Sequence, residues 1–425
     1  MSADPTTDPR LRSWAEVAED SFFPIQNLPH GVFRKPGEAP RLGVAIGDSV
    51  LDLARLAEAG LLDGVGLPLA TYLADSLNPL LAAGRPVWRS LRERLSALLE
   101  ISTPDLRDSQ VANRALVPRS EVEMMAPVRP GDYVDFYSSL QHATNLGRMF
   151  RPDGDPLLPN WRHLPIGYHG RSSSVVASGT PIRRPAGQLK APDHGPRWGP
   201  TERLDIELEV GFVTGAGNAH GESIPAERAE QHIFGAVLVN DWSARDIQAW
   251  EYQPLGPFLG KSFATSIGDW VVSLDALEPY RVAAPAQDPP VLDYLQETER
   301  RGLDLHLEVA LATTAMRRAQ TVSRVNFSEM YWTMAQQLAH VTSNGTPLRA
   351  GDLYASGTVS GSEPGSYGSL IELTNNGAEP LRLENGEERR FLEDGDTVTL
   401  RGHCHREGLP RIGFGEVTGT VIPAH

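Results

Sequence analysis

Apolar and polar residues alternate along this chain in short runs that Gly and Pro repeatedly interrupt, a pattern that predicts strands and turns rather than long helices. Leu42 to Ile46 and Val50 to Leu53 flank the turn Gly47-Asp48-Ser49 and predict a hairpin. Val87 to Leu99 follows the other period: Leu91, Leu95 and Leu98 recur at spacings of three and four among Arg and Glu, which predicts an amphipathic surface helix. Strict alternation returns in Leu204-Asp205-Ile206-Glu207-Leu208-Glu209-Val210. There Ile206, Leu208 and Val210 share one face of a strand, and Asp205, Glu207 and Glu209 share the other. The apolar strand Ala236 to Val239 ends at Asn240-Asp241. Trp242 to Tyr252 then reads as a helix with Arg245, Gln248 and Tyr252 on one stripe. A strand from Ser369 to Leu373 carries Glu372 between apolar neighbours, and a helix from Val291 to Arg301 follows the Pro-rich stretch Ala283 to Pro290. The expected fold is mainly β.

A length of 425 residues predicts two domains, divided near residue 125. Residues 1–125 gather no acids, histidines or glycines in a chemically suggestive way and read as a structural or oligomerisation domain. In residues 126–425 polar groups begin to sit inside apolar elements, which is where chemistry is to be sought. Two Pro/Gly-rich segments, Arg151 to Gly170 and Ser178 to Pro200, carry Arg and Tyr and are expected to cover an active site without regular structure. The net charge of -15 opposes nucleic acid and anionic membranes as partners. Cys404 is the only cysteine, which excludes an intrachain disulfide and a thiolate metal site and suggests a cytoplasmic setting. The start, Met1 to Trp14, is polar and unlike a signal peptide, and no run of about 18 apolar residues predicts a membrane span.

Three groupings suggest chemistry. Carboxylates on one strand face repel one another unless a cation intervenes, so Asp205, Glu207 and Glu209 side by side suit a hard, oxygen-seeking ion such as Ca²⁺ or Mg²⁺, although an isolated E-x-E is more often a solvated face. Asp241 at a strand end could complete such a site, and the stripe of Arg245, Gln248 and Tyr252 offers a cation, an amide and a phenol for an oxyanion or carboxylate. Asp135 and His142 lie seven positions apart, so two helical turns would bring both to one face, and His142 is the natural general base. Lys261, in Gly256-Pro257-Phe258-Leu259-Gly260-Lys261, reads as half-buried and in need of an anionic partner. Glu372 could orient a histidine or face solvent.

The strings DFYSSLQHATNLG, PIGYHGRSSS, LDIELEVGF, NDWSARDIQAWEYQPLGPFLGKSF and ASGTVSG stand in an order that resembles the fumarylacetoacetase family over nearly the whole chain, and SWAEVAEDSFFPIQNLPHGVF resembles its full-length form. The resemblance implies an α+β architecture: a small N-terminal SH3-like β-barrel and a larger mixed β-sandwich roll, acting as a homodimer. It implies calcium on Asp135, Glu207, Glu209 and Asp241, and a second, magnesium-type cation near Asp241, Lys261 and Thr265, with Lys261 contributing its backbone carbonyl. Substrate contacts are implied at Tyr137, Arg151, Tyr168, Gln248, Tyr252 and Thr358. Two positions depart from the family pattern, Ala264 in place of glycine and Leu140 in place of arginine, the latter expected to affect packing only.

The implied reaction is hydrolysis of a carbon–carbon bond in a small diketo acid, the last step of tyrosine and phenylalanine breakdown through homogentisate. In it Glu372 fixes His142, His142 activates water, and Arg245, Gln248 and Lys261 form the oxyanion hole. Relatives on the same scaffold cleave acylpyruvates, decarboxylate oxaloacetate or tautomerise keto acids, and a calcium-stabilised binding module is the reading from a different class.

Overall fold

The computed structural model describes residues 4–191 and 195–425, so the first three residues of the polar start and positions 192–194 of the second Pro/Gly-rich segment lie outside the described residues. The N-terminal part is a five-stranded antiparallel sheet in which His30–Arg34 lies between Arg41–Ile46 and Glu123–Met125, with Ser49–Asp52 and Leu116–Pro118 beyond. The hairpin read from alternation is present, with Ala45 opposite Val50. The amphipathic helix runs Arg85–Leu99 and buries Trp88, Leu91, Leu95, Leu98 and Leu99. No helix among the described residues is long and apolar enough to cross a membrane.

The larger part is a sandwich of two mixed sheets. One has the order Gly167–His169, Tyr133–Phe136, Leu353–Ala355, Leu208–Thr214, Ile233–Asp241, Thr265–Ile267, Val175–Ala177. Pairing is antiparallel except where Leu353–Ala355 meets Tyr133–Phe136 and Thr265–Ile267 meets Val175–Ala177. The other sheet runs Gln320–Asn326, His306–Ala312, Thr397–Cys404, Ile412–Ile422, Ile182–Arg183. Leu208, Val210, Phe212 and Leu238 of the first sheet pack with Leu307, Val309, Leu400, Phe414 and Val417 of the second, as the alternation requires.

The opposite face of the first sheet places the site. Tyr133, Val213, Val237, Val239, Ile267 and Leu353 on that face join the core of the N-terminal part, so the two parts share one apolar interior. Side chains two positions along the same strands point the same way. Asp135 follows Tyr133, Asp241 follows Val239, and Glu209 lies opposite Val239 in register. One sheet face is thus apolar under the N-terminal part and acidic at its end.

Several predicted elements differ. The predicted continuous strand Leu204 to Val210 is broken at Ile206–Glu207: Leu204–Asp205 pairs with Ser243–Ala244, and Leu208–Thr214 joins the first sheet. The predicted strand Ser369 to Leu373 is a short helix, Leu370–Leu373, because Asp205 from a distant strand accepts hydrogen bonds from the peptide N–H groups of Leu370 and Ile371 at 2.7 and 3.1 Å. The predicted helix Val291 to Arg301 is one turn, Asp293–Leu295, followed by the strand Arg301–Leu303. Contacts to the helix Met334–Thr342 replace the helical bonds, since Gln336 donates to the Leu295 carbonyl at 3.0 Å and Thr333 donates to Glu297 at 2.6 Å.

Candidate active site

Asp135, Glu209 and Asp241 converge from three strands, Glu207 joins them from the break just before Leu208–Thr214, and all four are buried, with a carboxylate oxygen from each within 4.8 Å of the others. Asp205, predicted to project beside Glu207 and Glu209, stays out of this group and is held instead by Arg245 and peptide N–H groups. Lys261, expected to be half-buried, is 6% exposed, and its Nζ lies 2.5 Å from Glu207 and 2.6 Å from Asp241. Arg245 spans Asp205 and Glu207 at 2.7 Å each. The hydroxyls of Tyr168 and Thr265 donate to Asp241 at 3.0 and 3.1 Å.

Among the described residues no cation reaches Asp135 or Glu209, and Asp135 Oδ1 and Glu209 Oε1 are buried without a partner. Burial and mutual repulsion push both carboxyls well above the usual carboxylate range, Asp241 acting most on Asp135 and Asp135 most on Glu209. Burial also works against charge on Glu207, but Lys261 and Arg245 outweigh it and hold that group low. Two paired and two unpaired buried carboxylates, with orphaned oxygens, fit a divalent metal ion of the hard, oxygen-preferring kind.

A cavity of about 590 Å³ opens against this cluster. Asp135, Tyr137, His142, Arg151, Tyr168, Glu207, Arg245, Gln248, Tyr252, Lys261 and Thr358 all line it. Asp135 and His142 do not share a helix: Asp135 lies in the strand Tyr133–Phe136, and the helix Leu140–Phe150 that carries His142 begins only at its cap Ser139, whose hydroxyl accepts the His142 N–H at 3.2 Å. Its Nδ1 is 2.7 Å from Glu372 Oε2. That oxygen also accepts from Ser360 at 2.8 Å and Ser369 at 2.7 Å, while Asn145 donates to Oε1 at 2.9 Å. Burial opposes charge on Glu372, but His142 and these donors hold its carboxyl below the ordinary value. An acceptor-only carboxylate on Nδ1 fixes the tautomer with Nε2 free to accept a proton.

The predicted helix beginning near Trp242 starts at Arg245 and runs to Glu251, because Trp242 is buried with its Nε1 donating to Ser266 and Ser243–Ala244 pairs with Leu204–Asp205. Arg245 Nη1 donates to Gln248 Oε1 at 3.3 Å, and Arg245 Nη2 is buried without a partner. Tyr252, at the end of the helix, is 41% exposed at the cavity rim. Arg151 donates within its own loop to the carbonyl of Pro156 at 2.5 Å. Burial, with Glu372 nearby, pushes the Tyr137 phenol up, so it is a neutral donor. Thr358 Oγ1 is buried without a partner.

Of the two Pro/Gly-rich segments, Arg151 to Gly170 lines the cavity. Ser178 to Pro200 does not, among its described residues. It forms short strands, including the hairpin Ala186–Leu189 with Arg197–Pro200, and packs outside the helix Arg245–Glu251, where Trp250 donates to Gln188. Asn145, Ser360 and Ser369 were not anticipated from sequence. The available signal was the spacing of three between His142 and Asn145 on one helix. Leu140 packs in the apolar group around Trp161 and Trp332, and Ala264 is buried in the sandwich core.

A mainly β fold that brings a buried carboxylate cage and a histidine–glutamate pair to one cavity defines an enzyme of the hydrolytic kind. Residues 26–127 match the family described as Fumarylacetoacetase N-terminal, and residues 133–422 match Fumarylacetoacetate (FAA) hydrolase C-terminal. The chain is 52% identical over 418 residues to a fumarylacetoacetase of Rattus norvegicus, covering 97% of this chain and 99% of that one. It is 50% identical over 415 residues to a fumarylacetoacetase of Homo sapiens, with the same coverages. Among solved structures, a fumarylacetoacetate hydrolase from Exiguobacterium antarcticum shares the fold at a TM-score of 0.52 and 18% identity, covering 93% of this chain and 99% of that one. The chain belongs to the fumarylacetoacetase family.

Proposed function

We propose that this chain hydrolyses 4-fumarylacetoacetate to fumarate and acetoacetate, completing tyrosine and phenylalanine breakdown through homogentisate. The observation that carries the reading is that His142, held from behind by Glu372, lines a cavity together with Asp135 and Glu207 of the carboxylate cage, Arg245 and Lys261. Relatives at 50% identity and above, matched over nearly their full length, carry the name fumarylacetoacetase. Residues 1–125 would be the SH3-like domain and 126–425 the catalytic domain of a cytoplasmic homodimer.

Asp135, Glu207, Glu209 and Asp241 would hold Ca²⁺, and Asp241, Lys261 and Thr265 would adjoin a second, Mg²⁺-type cation. Such an ion, when bound, supplies Lewis-acid polarisation of the diketone oxygens. His142 Nε2 takes a proton from the water that attacks the carbonyl beside the alkene, and Glu372 stabilises the imidazolium that results. Arg245 Nη2 and the Gln248 amide face the oxyanion that forms. Gln248 is restricted to donating because its Oε1 already accepts from Arg245. Lys261 uses two N–H groups on Glu207 and Asp241 and keeps one for the same oxygen. Tyr137, Tyr168, Tyr252, Thr358 and Arg151 orient the substrate and its terminal carboxylates.

The test is the loss of ultraviolet absorbance of fumarylacetoacetate, with acylpyruvates assayed in parallel. Turnover of fumarylacetoacetate supports the reading, and turnover of acylpyruvates alone would overturn it.

A further inference from the structure

Asp205 is fully buried and is not part of the carboxylate cage. Its two oxygens nonetheless take four donors. Oδ1 accepts from the peptide N–H groups of Ile206 and Leu370, each at 2.7 Å. Oδ2 accepts from Arg245 Nε at 2.7 Å and from the peptide N–H of Ile371 at 3.1 Å. Leu370 and Ile371 are the first two residues of the turn whose third residue is Glu372. That turn has no cap of its own, because the hydroxyl of Ser369 is committed to Glu372. One carboxylate therefore ties the segment that presents Glu372, and through it His142, to the guanidinium of Arg245, which lines the cavity.

Chemistry makes this link hard to substitute. The guanidinium has five N–H groups in one plane, and fixing Nε on Asp205 and Nη1 on Glu207 leaves Nη2 as the edge with no protein partner. Rotation of that plane would move the unpartnered Nη2 edge from the position these two carboxylates give it. A slip of the Leu370–Leu373 turn would move the base by a comparable distance, and displacements of about 1 Å cost on the order of 10²-fold in rate.

We propose that Asp205 is a positioning residue that sets the distance and angle between the His142–Glu372 pair and Arg245, an inference that rests on the hydrolytic reading above. In Asp205→Asn the side chain keeps its shape, but its NH₂ group meets the donors of Arg245 and Ile371. The experiment measures kcat, KM and bound metal for the full-length wild type, Asp205→Asn, Arg245→Gln and the double variant on fumarylacetoacetate. Asp205→Asn is expected to lower kcat by about 10²-fold, with KM within about threefold and metal content unchanged. In the Arg245→Gln background the same change is expected to cost about tenfold or less, because part of its effect passes through Arg245.

Equal costs in both backgrounds, or a kcat near wild type, would overturn the inference. Absence of wild-type turnover would overturn the hydrolytic reading instead. Should Asp205→Asn not fold, amide hydrogen exchange at Leu370 and Ile371 is read in Arg245→Gln. A rise of about tenfold or more supports the link, and unchanged protection sinks it.

Discussion

Nδ1 of His142 and Oε2 of Glu372 are 2.7 Å apart although 230 positions separate the residues, and both are buried, His142 at the wall of the cavity and Glu372 behind it. The carboxylate does two things at this distance. It commits the ring to the tautomer whose Nε2 can accept a proton, and it stabilises positive charge on the ring once the proton arrives. Replacing Glu372 by Gln keeps the size of the side chain and removes that charge. Glu372→Gln and His142→Ala should each lower kcat by about 10²–10⁴-fold. Metal content should stay at the wild-type level, since neither residue belongs to the carboxylate cage. Turnover near wild type in His142→Ala, measured by absorbance, would remove it from the role of base.

Glu209 offers one oxygen to the Gly357 peptide N–H at 3.1 Å and leaves the other without a partner. Glu209→Gln should weaken Ca²⁺ and Mg²⁺ binding at least about tenfold, read by titration calorimetry. The ion-free protein carries a further signature. Asp135 and Glu209 have carboxyls pushed above their unfolded values of 3.8 and 4.5, so the folded state binds more protons than the unfolded one. Stability contributed by these groups is present at low pH and lost as pH rises from about 4 upward. A chelator should therefore depress Tm more at pH 8 than at pH 5, and ion binding should release protons. A Tm loss independent of pH would speak against an empty cage that holds protons.

Gly357 has φ +77, and a Cβ there would collide with the carbonyl of Phe136. Its N–H holds Glu209, and the next residue, Thr358, lines the cavity. Gly357→Ala should destabilise the protein by about 2–4 kcal/mol and reduce turnover in the fraction that folds. Urea melts and activity measured on the same preparation check both. A wild-type melt would show that the loop can relax without strain.

Much of this arrangement was legible from local pattern. Period-2 alternation placed Glu209 opposite the apolar face of Leu208–Thr214, though not Asp205 and Glu207 on that same strand, and the 3.6 period located the helix Arg85–Leu99, because each depends only on residues near in sequence. The partner of Asp205 lies 165 positions away, at Leu370, and no local signal reveals that its oxygens cap a remote turn. The same long-range bond converts the expected strand around Glu372 into a helix, a tertiary override of an apolar-flanked acid that reads as strand. Family resemblance joined Asp135, Glu207, Glu209 and Asp241, which spacing alone left apart, and the folded chain adds Ser360, Ser369 and Asn145 around Glu372.

Glu297 lies outside the cavity and tests the electrostatics without touching the chemistry. Its Oε2 accepts the hydroxyl of Thr333, the N-cap of the helix Met334–Thr342, at 2.6 Å. Burial raises its carboxyl to about 7, against the lowering effect of that hydrogen bond and with Glu230 adding repulsion. Since the folded value lies above the unfolded 4.5, the stability from this group is complete below about pH 4.5 and lost as pH rises through 7. Glu297→Gln keeps an acceptor for Thr333 and never ionises. The variant should exceed the wild type by on the order of 1–3 kcal/mol at pH 8, and the gap should close toward pH 4.5. Denaturant melts at the two pH values decide it: a gap that does not change with pH would mean that Glu297 is neither buried nor ionising as its position requires.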